Sequence, residues 1–411
     1  MNPSVDTTRL SLALFLVGFV TFALLYDVQP LLPLITHSYG RTARAGAWVM
    51  ALSTAGMAVS IMAVNLLATP RSRRFILFSG LLSAALLSLL MAWVHSFKLL
   101  LMTRALIGLA LGAIPVLAMA ELGDAIAPDR LGRAVGVYVS GTALGGMSGR
   151  LAASLLVMQQ GWQNSLFLLG LAGLFMAYAA ATLWPRSILP SGVSVPPPLA
   201  EHLRIWRMLW RQRLIRHYDL IALLLMGCFI TAYNGVAYHL LHTPSPAAAR
   251  RLGMLYSVYL VGVIASMLAG RAADRWGDRR SLLTATALLV LGLVIDLLPN
   301  LAALIVGMAL VTFAFFAGHA VASTAVARLA RPHAAHAAAL YLLFYYGGSS
   351  LISVLGGAIW DRGAWTGLIF FLIVLALLAF ALATTRSPPL ALSPQLAHDP
   401  EQGKTAERAH E

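Results

Sequence analysis

The sequence predicts an all-α membrane protein with twelve transmembrane helices in two six-helix, pseudo-symmetric halves. Three observations predict it. Hydrophobic residues make up 59% of the 411 and charged residues only 11%, more apolar surface than a soluble domain of this length can bury, so lipid must act as solvent. Apolar runs of about 20 residues recur along the chain, each long enough to cross a bilayer. They are uniformly apolar rather than alternating, which selects helices over a barrel. Finally, Tyr26-Asp27 in the first run is echoed by an uncharged Tyr233-Asn234 in the first run after a long basic segment, as two related halves would give.

The runs fall near residues 10–35, 45–67, 75–94, 99–120, 133–157 and 164–184, and again near 219–241, 252–270, 281–298, 301–325, 337–359 and 364–385. Residues 10–25 continue into a full span without a small-residue cleavage site and read as an anchor, not a cleaved signal. The first half is taken as 1–184 and the second as 219–385. Between them, 185–218 opens with a proline-rich piece and continues as EHLRIWRMLWRQRLIRHY. Ile205, Trp206, Leu209 and Trp210 stand at helical spacing with arginines between them. This fits an amphipathic helix on an anionic leaflet or a solvated basic linker. Pro128-Asp129-Arg130 leads into span five through Ala134 to Tyr138, and Pro332-His333 leads into span eleven through Ala337 to Tyr341. Parallel repeats of this kind put a ligand site near the midplane, between the halves. The polar tail 386–411 is expected to be disordered.

The net charge of +14 could suggest nucleic acid, but its placement argues against that. With the N-terminus inside, twenty-one of the twenty-nine Lys and Arg fall in segments on the inner side, six fall outside, and Arg104 and Arg150 lie within spans. This asymmetry is expected to place both termini in the cytoplasm. Cys228 is the single cysteine, so no disulfide forms within the chain. There is no His-Glu-x-x-His helix and no phosphate-cradling glycine loop. No enzyme activity, cofactor or metal is expected.

The polar groups inside the spans carry the mechanism, because each is costly in lipid. Asp27 ends the first span in Tyr26-Asp27-Val28-Gln29-Pro30-Leu31-Leu32-Pro33. Arg104 in span four must face a carboxylate or a set of carbonyls, and Asp27 is the expected partner. Span five reads Gly141-Thr142-Ala143-Leu144-Gly145-Gly146-Met147-Ser148-Gly149-Arg150, whose small residues permit close helix approach. Arg150 could bind an anionic substrate, pair with Asp27, or extend to the outer surface. Tyr26, Gln29, Asn234, His319, Tyr345 and Tyr346 are candidates to line a cavity, with Asn65, Thr231 and His239 as weaker ones. Glu121 and Asp124 are expected near Arg130 and Arg133 in a surface ionic cluster, and Asp296 is expected to be solvated.

Between spans eight and nine stands Gly270-Arg271-Ala272-Ala273-Asp274-Arg275-Trp276-Gly277-Asp278-Arg279-Arg280. This resembles the loop signature of the major facilitator superfamily. Arg104 followed by Gly108 and Gly112 is similar to that family's second motif. The span-five glycines resemble its antiporter motif, with Gly146 where the family has proline. The Gln29-Pro30-Leu31-Leu32-Pro33 run and span eleven are similar to a bacterial arabinose-efflux-permease-like, drug-efflux branch. The resemblance covers essentially the whole chain and implies the major facilitator fold. It also implies proton-coupled export of a small organic molecule (a sugar, drug or organic acid) across a bacterial inner membrane by a monomer, with substrate, protons and membrane lipids as partners and no nucleic acid.

In that reading Asp27 carries the proton and Arg104 balances it, since burial favours a neutral carboxyl and a nearby cation the charged one. A purely structural Asp27 stays open. Asp274, Arg275, Arg279 and Arg280 form a latch on the inner face. The first-half loop departs from the signature, with Ala68 at the position of Asp274 and Arg71 at that of Gly277, so gating leans on the second half. Uptake or facilitated diffusion by the same fold, and a non-transporting sensor or scaffold, are the other readings.

Overall fold

In the computed structural model the residues described are 7–67, 69, 72–185, 198–241 and 245–385, and every regular element among them is helical. Thr7–Ser38 forms the first span in three pieces: α1 (Thr7–Tyr26), a 3-10 turn (Gln29–Leu31) and α2 (Leu32–Ser38). The break has a local cause. Pro30 has no N–H to donate back along the helix, and Asp27-Val28 lie in a turn between the two helical pieces.

The first half continues with α3 (Ala43–Leu67), α4 (Arg73–Leu90), α5 (Phe97–Ala125) and α6 (Pro128–Leu183). α6 is two spans folded at Gly161, whose φ of 73° suits glycine and little else. α7 (Leu199–Arg211) then leads to the second half: α8 (Arg213–Leu240), α9 (Pro246–Ser257), α10 (Val261–Trp276), α11 (Asp278–Ile295), α12 (Leu301–Leu329) and α13 (Ala334–Thr384). α9, a 3-10 turn and α10 make up one span, and α13 folds into two at Ala364. Among the described residues nine segments are long and apolar enough to cross a membrane. Counting the two legs of α6 and of α13, and α11, which opens with the charged Asp278-Arg279-Arg280, gives the twelve expected.

Two boundaries differ from expectation. Span eight starts at Pro246, earlier than its apolar run. The amphipathic stretch breaks at Gln212 (φ −71°, ψ 114°), so its second part extends span seven from Arg213. The apolar face of α7 rests on the protein: His202, Ile205, Trp206 and Leu209 are buried, Trp206 Nε1–H donates to the His336 carbonyl at 3.1 Å, and Trp210 stacks on Phe344 at 4.5 Å. Arg204, Arg207 and Arg211 face outward. The proline-rich piece and the tail after Thr385 lie outside the described residues.

Glycine stripes set how closely the helices meet. A Cβ at Gly141, Gly145 or Gly149 would overlap the carbonyl of Phe15, Phe19 or Ala23 in turn, so α6 lies directly on the α1 backbone. Gly108 meets the Ser53 carbonyl in the same way, joining α5 to α3. In the second half Gly348 presses on the Leu223 carbonyl. Gly348 stands as far beyond Tyr233 as Gly141 stands beyond Tyr26, so the Tyr-Asp/Tyr-Asn echo and the packing glycines share one repeat register, with the carbonyl they meet shifted by one residue in the second half. By that register Tyr138 corresponds to Tyr345, one turn beyond the Tyr341 that the flanking sequence suggests.

The halves meet chiefly along α3 and the first leg of α13. Ser350 Oγ lies 2.7 Å from Thr54 Oγ1 and donates to the Ala51 carbonyl. Further from the termini, the Asp361 carboxylate accepts the N–H of Ala43 at 2.9 Å and of Arg44 at 3.3 Å, capping the start of α3 from the opposite half.

The stripe makes a stability prediction. Gly145→Ala should cost about 1–3 kcal/mol, because the new methyl must displace a backbone carbonyl. Gly136→Ala, in the same helix with nothing within 4 Å of its Cβ position, should be neutral or stabilising. Thermal unfolding of the purified variants in detergent checks the pair.

Candidate functional site

The site grows from the break in span one. A helix interrupted at Asp27-Val28 leaves carbonyls without intrahelical donors, and in lipid these need internal partners. Arg104 of α5 supplies them. Its Nη2 donates to the Leu25 carbonyl at 2.6 Å and its Nη1 to that of Leu24 at 3.4 Å. Nη1 also donates to Asp27 Oδ1 at 3.2 Å, and both side chains are fully buried. Ser88 of α4 donates to Asp27 Oδ2 at 3.4 Å. The partner expected for Arg104 is therefore the one it has, and it meets the set of carbonyls as well.

Two residues further on, Gln29 begins a second network that crosses between the halves. Its Oε1 accepts from Arg150 Nε at 2.5 Å. Its Nε2 donates to Asn234 Oδ1 at 2.6 Å and to the Ile230 carbonyl at 3.2 Å. Asn234 passes the chain on to Ser353 Oγ at 3.3 Å, which lies 3.4 Å from Thr231 Oγ1. Nearer the far end, Thr36 Oγ1 lies 3.4 Å from Tyr238 Oη. This relay of spans five, one, seven and eleven places Gln29 and Asn234 together as cavity candidates.

Arg150 follows only one of the three courses open to it. It is fully buried, so it does not extend to a surface. Arg104 is the partner of Asp27, and Arg150 has no ion pair among the described residues. Nη1 donates to the Gly146 carbonyl at 2.7 Å, and Nη2 has no hydrogen-bond partner among the described residues. Its guanidinium carbon lies 3.9 Å from the ring centroid of Tyr26, 4.9 Å from Tyr259 and 5.7 Å from Tyr233. Desolvated cation–π contacts contribute on the order of 2 kcal/mol each, so aromatic faces from both halves stand where a counter-ion would. Gly146, unlike the other span-five glycines, faces this cage and not a helix backbone.

From the cage an aromatic wall runs through Phe315 and Phe316 to His319 and Tyr345. His319 Nδ1 lies 2.9 Å from Tyr341 Oη, and Tyr346 is buried against Tyr345. His319 and Tyr345 are half-buried. Of the weaker candidates, Thr231 joins the relay, Asn65 bonds its own helix at Ile61, and His239 stacks on Trp365.

Sequence reasoning misplaced or missed several groups. Asp296, expected in solvent, is 1% exposed, and neither carboxylate oxygen has a partner among the described residues. The chain turns at Ala364 and brings the Trp365 indole over the end of α11, where it donates to the Asp296 carbonyl. Asp219 is likewise fully buried without partners, and nothing in its local sequence singles it out. Glu121 and Asp124 face Arg73 across α4 and α5. Tyr259 entered the cage unannounced, because only the packing of span eight on span five puts it there.

In the loop signature, Gly277 takes φ 81° between α10 and α11, which explains the glycine. The anion held there is Asp278, in a two-oxygen contact with Arg328 at 2.6–2.7 Å. Asp274 is exposed and has no hydrogen bond or ion pair among the described residues. Arg279 donates to the Thr384 carbonyl. Arg275 lies beside a groove with Arg271 and Trp276, and Arg280 is exposed. The bonds of Asp278 and Arg279 stay within the second half. Ala68 and Arg71 of the first-half loop lie outside the described residues. Among the described residues no cluster of three or more His, Cys, Asp or Glu could hold a metal.

Two six-helix halves meeting over a buried, cation-centred polar relay define a polytopic solute carrier. The chain belongs to the Major Facilitator Superfamily, whose profile matches residues 10–243 and 239–407. It is 34% identical over 374 residues to the uncharacterized MFS-type transporter YybF of Bacillus subtilis, covering 90% of this chain and 92% of that one. It is 32% identical over 379 residues to the inner membrane transport protein YnfM of Escherichia coli, covering 92% and 90%. Its fold is similar to a bacterial homolog of the human lysosomal transporter Spinster in an inward-facing, unoccupied conformation, with TM-score 0.73, 15% identity, and coverage of 93% and 97%. It is also similar to the nucleoside transporter NupG, with TM-score 0.71, 14% identity, and coverage of 91% and 98%. The protein is a multi-pass membrane transporter.

The Asp27–Arg104 pair predicts a non-additive cycle. Removing one partner strands a buried charge, so Arg104→Ala should cost about 3–5 kcal/mol. Adding Asp27→Asn should restore part of that loss. Thermal unfolding of the two single variants and the double variant measures the coupling.

Proposed function

We propose that the protein exports a small organic molecule across a bacterial inner membrane in exchange for protons, by alternating access between its two halves. The observation that carries this is the single turn linking Asp27 to Gln29. Asp27 is tied to Arg104, and Gln29 to the relay between halves, so the state of one bears directly on the other. A proton on Asp27 removes the charge attraction that helps hold the broken helix against Arg104. Movement of that turn then strains the Gln29 bonds to Arg150 and Asn234. Charge state and closure are thereby coupled, as alternating access requires.

The distribution of Lys and Arg puts both termini in the cytoplasm. In that orientation the contacts of Asp361 with α3 and of Thr36 with Tyr238 hold the halves together on the periplasmic side. The second-half loop then acts as an inner latch, released in this state. Asp278, Arg279 and Arg328 are held within one half, leaving Asp274, Arg275 and Arg280 to engage the first half when the inner side closes. The antiporter-like glycine run supports export over uptake. A single chain holds a complete site, which supports a monomer, and exposed Phe75, Phe175, Phe370 and Met102 suit contact with lipid.

Proton release on addition of a panel of sugars, drugs and organic acids to purified protein tests the reading. Substrate-dependent release is expected from the wild type and should be lost in Asp27→Asn. Release that survives in Asp27→Asn assigns the proton to another carboxyl, Asp219 or Asp296 being the buried ones. In proteoliposomes, accumulation with the proton gradient instead of against it would make the carrier an importer.

A further inference from the structure

We propose that the midplane site takes the carboxylate of a small organic anion with a flat apolar body, and that Arg150 is the group that binds it. This rests on the transport reading and names the substrate class for the same site.

The argument begins with charge. Two arginines lie inside the bundle. Arg104 has its charge matched by Asp27 at 3.2 Å, whereas Arg150 has no acid within ion-pair distance among the described residues. Among the described residues the donors of Arg150 bond an amide oxygen and a backbone carbonyl, the Tyr259 hydroxyl lies close by, and Nη2 has no hydrogen-bond partner. Leaving a buried, charged donor without an acceptor is more costly than leaving a neutral one. The tyrosine rings and the Tyr259 hydroxyl beside the guanidinium offset part of that cost, but none of them supplies a negative charge. A carboxylate supplies both the charge and the lone pairs, and two oxygens match the guanidinium fork. A neutral ligand would leave the cation unbalanced, and a cationic one would be repelled.

Shape agrees with charge. Gly146 bears no side chain beside the guanidinium; a Cβ there would sit 3.3 Å from Nη1 and 3.6 Å from the Tyr26 ring. The glycine that stands in place of the family's proline therefore lets Arg150, Tyr26 and Tyr259 close around that point, where a side chain would crowd the cation. Beyond it, Tyr259, Phe316, Phe315, His319 and Tyr345 contact one another in sequence, and of these Phe316, His319 and Tyr345 remain half-exposed. A flat apolar body can lie along that wall with its acid group at Arg150.

The same site explains why loading and movement would be linked. Arg150 and Tyr26 belong to the first half, while Tyr233 and Tyr259 belong to the second. Separating the halves without a ligand strips an unpaired cation of two of its three aromatic faces. A bound carboxylate neutralises it, so the loaded protein can part where the empty one resists.

Calorimetric titration of the purified protein tests the inference, using benzoate, indole-3-acetate and cyclohexanecarboxylate, each against its primary amide. At least one acid should bind wild type tenfold or more tightly than its amide, Arg150→Lys should retain part of that preference, and Arg150→Met should abolish it. The wild-type comparison stands even if a variant fails to fold. Equal binding of acid and amide, no binding by any acid, or a preference that survives Arg150→Met overturns the proposal. Flux in proteoliposomes separates it from the transport reading. Acid-selective binding without flux keeps the anion site and defeats transport, while flux of neutral compounds without acid preference does the reverse.

Discussion

Backbone groups in lipid must find partners inside the protein, and the break at Asp27-Val28 is where this chain meets that constraint most directly. Proline at position 30 ends the first helix early, which exposes carbonyls at bilayer depth. A neutral donor could satisfy them. A guanidinium was used, and a guanidinium in hydrocarbon needs an anion. Arg104 and Asp27 therefore follow from one another and from the break. The break in turn points Gln29 out of the first half and into the second. Remove the interruption, and Gln29 loses the orientation that lets it bond Arg150 and Asn234 together.

The glycine stripes are the second condition. Gly141, Gly145 and Gly149 bring α6 onto the α1 backbone, which fixes the height of Arg150 relative to the break. A larger residue at any of them would separate the helices and shift the guanidinium away from Gln29. Gly146 lies on a different side of the same helix and serves the cage. One short segment thus does two things: three glycines set the distance between helices, and the fourth lets the cage close around the charge.

Much of this was legible in the sequence for reasons of cost. Charges in lipid are rare enough that Asp27 and Arg104 predict each other, and the glycine spacing of four predicts a helix contact. The tight turn at Gly277 could be read from its residue type. What could not be read depends on distant packing. Asp296 ends an apolar run, so hydropathy alone puts it in water, yet Trp365 folds over it from another span. The apolar face of α7 suggests a lipid surface, but the start of α13 lies closer. The Arg150 cage needs Tyr259 from span eight, which no local pattern connects to span five. The acid within the loop signature that is held, Asp278, is one turn from the expected Asp274, because helix α11 begins there and aims it at Arg328.

The two halves divide their polar groups unequally, and this bears on mechanism. The first half holds a matched pair and one unmatched cation. The second holds two buried acids, Asp219 and Asp296, with no hydrogen-bond partner among the described residues, and no buried Lys or Arg among the described residues. An ionisable group in lipid is costly without a partner, and Arg150 has no acid within ion-pair distance among the described residues. Among the described residues the one buried arginine without an acid partner therefore sits on the seam where the halves must separate. A transporter built this way has an electrostatic reason to move only when that charge is covered. The tyrosines cover it in one arrangement, and any other arrangement must find a different cover.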